Sequence, residues 1–151
     1  MIIWRLWLLV VFLLLAEAGA AEGETRIIKV LPHLLDAQGR NALAPSLFER
    51  DSYQAFLRQN PEQISALRFD VQYKSRAKEP LALRMEIRGS KMEIGRARVF
   101  ETDIRPRRWF SSWGGLRLES GTYAEIGNIV AWRATLWRAG EQVAEQQSFL
   151  W

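Results

Sequence analysis

Arg105-Pro106-Arg107-Arg108-Trp109-Phe110-Ser111-Ser112-Trp113 places three guanidinium groups and three large aromatic rings within nine consecutive positions. Arginine offers paired donors to phosphate, sulfate or carboxylate, and an aromatic ring offers a face for stacking. Arg105, Arg107, Arg108, Trp109, Phe110 and Trp113 are therefore the candidate ligand-binding residues, for an anionic ligand. The flanking sequence points the same way. Between Arg84 and Arg117 nine basic side chains (Arg84, Arg88, Lys91, Arg96, Arg98, Arg105, Arg107, Arg108, Arg117) face four acidic ones (Glu86, Glu93, Glu101, Asp103), an excess of +5 against +4 for the whole chain. If the polar faces near 84–88 and 96–98 turn toward the 105–108 loop, they form one cationic surface. Its expected partner is an anionic polysaccharide, a lipid headgroup or an envelope protein; nucleic acid fits the chemistry but not an exported chain. The competing reading makes the arginines ordinary solvated strand residues and the tryptophans a cap on the core.

Catalytic chemistry finds little to use. His33, the single histidine, has Asp36 and Ser46 near it in sequence, but no Gly-x-Ser-x-Gly elbow accompanies them. Asp70, Glu86, Glu101, Asp103 and Glu119 fall on or beside expected strands at outward positions, where cross-strand arginine pairs account for them more simply than a paired-carboxylate site. The absence of cysteine removes thiolate metal sites and thiol nucleophiles. No metal-ligand spacing and no cofactor fingerprint is found, so the chain reads as a non-enzyme with no metal and no cofactor. A carbohydrate-active or other hydrolytic enzyme on the same scaffold is the alternative.

The first twenty residues form a secretory signal: Arg5 supplies the charge, Leu6 to Ala16 the apolar run, and Ala18-Gly19-Ala20 the small residues for cleavage. A membrane span needs about 20 apolar residues, and Glu17 interrupts this run early. Residues 21–151 are expected to make one domain, secreted or periplasmic, with retention of residues 1–16 as a membrane anchor of a structural protein as the alternative. Without cysteine no lipid can be attached through a thioether and no disulfide can brace the fold, so an apolar core must hold it.

These candidate residues need a scaffold, and the apolar pattern describes one. Arg26 to Leu31 is a short strand ended by Pro32, at an edge, followed by a second extended piece from His33 to Asp36. Ser46 and Glu49 form a capping box that opens a helix over 47–59, with Phe48, Tyr53, Phe56 and Leu57 on its apolar side. Beyond Ala66 the period changes to two. Leu67, Phe69, Val71 and Tyr73 alternate with polar residues, as do Leu81, Leu83, Met85 and Ile87, giving two half-buried strands expected to pair with each other. A strand with a bend near Gly95 is expected over 92–104, and a short one at Leu116–Leu118. A hairpin over 129–151 turns at Ala139-Gly140-Glu141 and places Trp132 and Trp137 on opposite faces, the outer one under the inserted helix. The chain is expected to end inside its last strand, and that edge is a candidate for pairing with another chain.

Leu118-Glu119-Ser120-Gly121-Thr122-Tyr123 resembles the corner of fibronectin type III modules, where a leucine, a glycine-threonine pair and a tyrosine precede the next-to-last strand. Here the tyrosine comes one residue early and Ser120 stands where the proline is usual. The resemblance covers the last third of the chain and implies an immunoglobulin-like topology, without a ligand. The expectation is a mainly all-β protein: an antiparallel immunoglobulin-like β-sandwich with one inserted helix (47–59) and an N-terminal signal helix. Its expected role is that of a secreted, non-catalytic interaction or accessory module.

Overall fold

The computed structural model describes residues 25–107 and 109–151. The expected signal segment, residues 1–20, and Arg108 lie outside the described residues. Two strands of alternating burial dominate, β2 (Ala66–Lys74) and β3 (Leu81–Gly89). Leu67, Phe69, Val71 and Tyr73 of β2 and Leu81, Leu83, Met85 and Ile87 of β3 are essentially removed from water. At roughly 2 kcal/mol per fully buried large apolar side chain, they are a main source of stability in a fold without disulfides.

The two strands do not pair with each other, contrary to expectation. β1 (Arg26–Leu35), β2 and β5 (Ser112–Glu119) form one antiparallel sheet in the order β1-β2-β5. β4 (Arg98–Ile104), β3, β6 (Ile129–Arg138) and β7 (Glu141–Gln147) form the other in the order β4-β3-β6-β7. Residues 75–80 cross between the sheets, so the dry faces of β2 and β3 meet across the core. Alternation shows that a strand has one dry face; it does not say whether the next strand lies beside it or opposite it.

β1 is one continuous strand in which Pro32 stands opposite Phe69, not a strand ended by proline followed by a second piece. The N–H of Leu34, on the same side of the strand as the Pro32 nitrogen, points away from β2 to the side chain of Gln54. Proline's missing donor therefore falls on the outer edge, where it breaks no ladder bond. The expected strand over 92–104 begins only at Arg98; residues 90–97 turn instead, with Gly95 at φ 81°. β5 starts at Ser112 and so takes in Trp113, which was expected in the loop.

Helix α1 (Leu47–Gln59) has the expected bounds, opened by the Glu49 N–H donating to Ser46 Oγ at 3.4 Å. Its anchored residues are Gln54 and Leu57, whereas Phe48 and Phe56 are exposed and Tyr53 stacks on Phe56. It packs on β1 and not over the outer tryptophan. A second helix, α2 (Ser120–Ile126), replaces the single turn expected after β5 and buries Tyr123 and Ile126. The closing hairpin turns on two residues, Ala139 at φ 49° and Gly140 at φ 84°, between Arg138 and Glu141. Positive φ at both positions matches the twist of the flanking strands. β7 ends at Gln147, short of the C-terminus: the Ser148 N–H donates to the Trp132 carbonyl, and the Trp151 N–H returns to the Ser148 carbonyl. Among the described residues no helix is long and apolar enough to cross a membrane.

Candidate functional site

The Arg105–Ser111 loop carries the chain from β4 in one sheet to β5 in the other. Register fixes where it lies, because Leu81 pairs with Ile104, Tyr73 with Ser112, Arg26 with Lys74 and Ala82 with Trp137. The start of β1, the 75–80 connector and the 139–140 turn therefore gather at the same end of the sandwich as this loop. Arg26, Lys74, Arg76, Lys78 and Arg138 join the loop there, against Glu79, Asp103 and Glu141. Sequence reasoning missed these basic neighbours because they are far away along the chain; only strand pairing brings them to one end.

The loop is held by its own serines. The Arg107 N–H donates to Ser112 Oγ at 2.8 Å, the Phe110 N–H to the Arg107 carbonyl at 3.2 Å, and the Gln72 side-chain amide to Ser111 Oγ at 3.2 Å. Ser112 is buried, so it ties the loop to the core end. The aromatic side chains stay outside: Trp109 is 70% exposed, Phe110 73% and Trp113 54%. Arg105 and Arg107 are exposed, and among the described residues neither has a carboxylate within ion-pair distance. Guanidinium groups in this state can take up an anion without first breaking an internal ion pair.

The wider cationic surface expected from Arg84 to Arg117 is largely cancelled by internal partners. Arg84 lies 3.2 Å from Glu101, Arg96 2.7 Å from Glu93 and Arg117 3.0 Å from Glu119, and Arg98 pairs with Glu125. The Lys91 ammonium donates to the Ala124 carbonyl at 2.8 Å, and Arg88 lies over the Trp151 ring at 4.0 Å. Exposed carboxylate pairs of this kind add little stability, but each returns its local field toward neutral, whereas Lys91 and Arg88 keep their charge. The sum over sequence gave +5; spatial pairing leaves the charge concentrated at the loop end.

The outer face of the four-stranded sheet is a lattice of such pairs. Glu86 accepts two bonds from one Arg133 nitrogen at 2.7 and 2.8 Å, and Trp151 also covers Arg133 at 5.0 Å. Trp137 lies beneath Arg84, 4.8 Å from ring centre to guanidinium, and donates its indole N–H to Thr135 Oγ1 at 2.9 Å. An arginine, not the helix, thus covers the outer tryptophan, while Trp132 packs against the core.

His33 does not meet its sequence neighbours. Its Nδ1 lies 3.1 Å from Asp70 Oδ2, a carboxylate also held by Arg68. Burial pushes Asp70 up, and the bonds from His33 and Arg68 outweigh it to leave the carboxyl below its ordinary range. Asp36 is spent elsewhere, accepting from the Gln38 and Arg40 N–H groups, the Arg40 guanidinium and the Tyr53 hydroxyl. Burial pushes it up as well, yet these donors bring it down to about 2. Ser46 caps its helix. Asp70, Glu86, Glu101 and Glu119 each sit against an arginine, divided between the two sheets.

Strands one, two and five facing strands four, three, six and seven define an immunoglobulin-like sandwich, in which the fourth strand has joined the sheet of the third, sixth and seventh. At the corner between β5 and β6, Tyr123 is buried, but its hydroxyl donates forward to Asn128 Oδ1 at 2.7 Å and not back to upstream backbone. No family model and no curated protein matches the chain. Among solved structures, an immunoglobulin-like protein from Pseudomonas aeruginosa is similar at 16% identity, over 85% of this chain and 97% of that one, with a TM-score of 0.37.

Proposed function

We propose that the protein is a non-catalytic interaction module, exported to the periplasm or beyond, whose Arg105–Trp113 end contacts an anionic envelope polymer. The observation that carries this reading is the contrast within one run of basic residues. Arg84, Arg96, Arg98 and Arg117 are matched by carboxylates, whereas Arg105 and Arg107 stand exposed beside Trp109, Phe110 and Trp113 with no such match among the described residues. Arginines supply the attraction, the rings supply stacking on a sugar or packing against apolar groups, and the serine-pinned loop lowers the ordering cost of binding.

The test is retention on a carboxylated or sulfated polysaccharide matrix. Replacing Arg105, Arg107 and Arg108 together with glutamine should leave the melting temperature unchanged and cut retention severalfold. Equal retention of the variant would remove this reading. Mass spectrometry of the exported protein checks the accompanying localisation: a mature start near Ala21 is expected, and retention of residues 1–16 would mean an anchor.

A further inference from the structure

A cleft of about 300 Å³ opens at the other end of the sandwich, between the two sheets and beside α1. Its origin is a mismatch in strand length. β7 stops at Gln147, opposite Arg133, whereas β6 continues back to Ile129 and β1 runs on to Leu35. Leu34 and Leu67 form one wall, Ile129 and Trp132 the other, and Arg58 of α1 stands at the rim.

The polar groups lining this cleft offer donors. Asn128 accepts from Tyr123 on its oxygen, so its amide nitrogen is the end left to donate. Ser148 Oγ accepts from the Trp132 N–H at 3.0 Å, which leaves its hydroxyl hydrogen for a ligand. Gln54 is committed to Leu34 and Asn41. Arg58 has no carboxylate partner among the described residues, and no Asp or Glu lines the cleft. A cation, an amide N–H and a hydroxyl around an apolar slot match a ligand with an anionic head and a hydrocarbon body.

We infer that this cleft binds a small aliphatic carboxylate, its head at Arg58, Asn128 and Ser148 and its chain between Leu34, Leu67 and Trp132. At ~30 Å³ per water-sized group the space takes about ten such groups, which fits a chain of about six to eight carbons. A peptide C-terminus offers the same head but brings backbone polar groups for which the apolar walls have no partner.

Titration of the whole protein with octanoate, 1-octanol, acetate and a short peptide ending in leucine, followed by NMR shifts of the Trp132 indole, tests this site. Saturable octanoate binding is expected, with 1-octanol and acetate at least about tenfold weaker, the value of one charge-assisted bond. Arg58→Gln should weaken octanoate about tenfold at unchanged melting temperature, and Arg105→Gln with Arg107→Gln should leave it unaltered, which separates this site from the loop. Absence of saturation, equal affinity for 1-octanol, indifference to Arg58→Gln or tighter binding of the peptide would overturn it.

Discussion

The side chain of Gln54 grips both backbone groups of Leu34, accepting from its N–H at 2.8 Å and donating to its carbonyl at 2.9 Å. A third bond runs from the same amide to the Asn41 carbonyl at 2.8 Å. One helix residue thus does for the outer edge of β1 what a neighbouring strand would do, next to Pro32, which has no donor to offer. At Leu34 the edge is closed against pairing with another chain. Gln54→Leu keeps the volume and strands these buried backbone groups; a loss of about 3 kcal/mol is expected, read as a lower midpoint in urea unfolding at unchanged slope.

Asp36 ties the end of β1 to α1 through Arg40 and Tyr53, and its pKa of about 2 lies below the ordinary 3.8. A depressed carboxylate stabilises the folded state above its unfolded pKa and loses that contribution as pH falls through the folded one. Stability should therefore drop between about pH 4 and pH 2 by about 2 kcal/mol on account of this group. Asp36→Asn should be less stable at pH 7 and should lack this part of the acid limb, measured by thermal melts across the range.

Ala139 holds a left-handed conformation, φ 49°, in the two-residue turn before Gly140. A side chain with a Cβ carries a cost of roughly 1 kcal/mol there, and asparagine bears it better than alanine. Ala139→Asn should raise stability by about 0.5 kcal/mol without altering the β6–β7 register, checked by melting temperature and amide exchange in the hairpin.

Trp151 covers two guanidinium groups, Arg88 at 4.0 Å and Arg133 at 5.0 Å, on the outer face of the larger sheet. Trp151→Ala should cost about 1 kcal/mol. A double-mutant cycle with Arg88→Ala should return a coupling of roughly 0.5–1 kcal/mol. Additive effects would show that the ring contributes packing alone.

At the loop end, charge and rings should separate by salt. Arg105→Gln with Arg107→Gln should flatten the dependence of polysaccharide retention on ionic strength, since each removed cation removes a screened attraction. Trp109→Ala with Trp113→Ala should lower retention at every salt concentration and leave the slope unaltered, read from elution positions in a salt series.

By itself the sequence determined the local periods. Serine at position 46, accepting from the Glu49 N–H, set the start of α1, alternation from Leu67 to Tyr73 and from Leu81 to Ile87 set two central strands, and Ala139-Gly140 set the closing turn, because each depends on groups a few residues apart. Which strand lies beside which, and which arginine meets which carboxylate, was left to tertiary structure. Period-two burial is identical for a neighbour in the same sheet and a partner across the core, so β2 and β3 looked adjacent and proved to face each other. Partners such as Arg133 and Glu86, or Arg98 and Glu125, are brought together only by that pairing. The exposed aromatic loop was legible because its residues are contiguous; the cleft at the other end was not, because it exists only where strands of unequal length leave a gap.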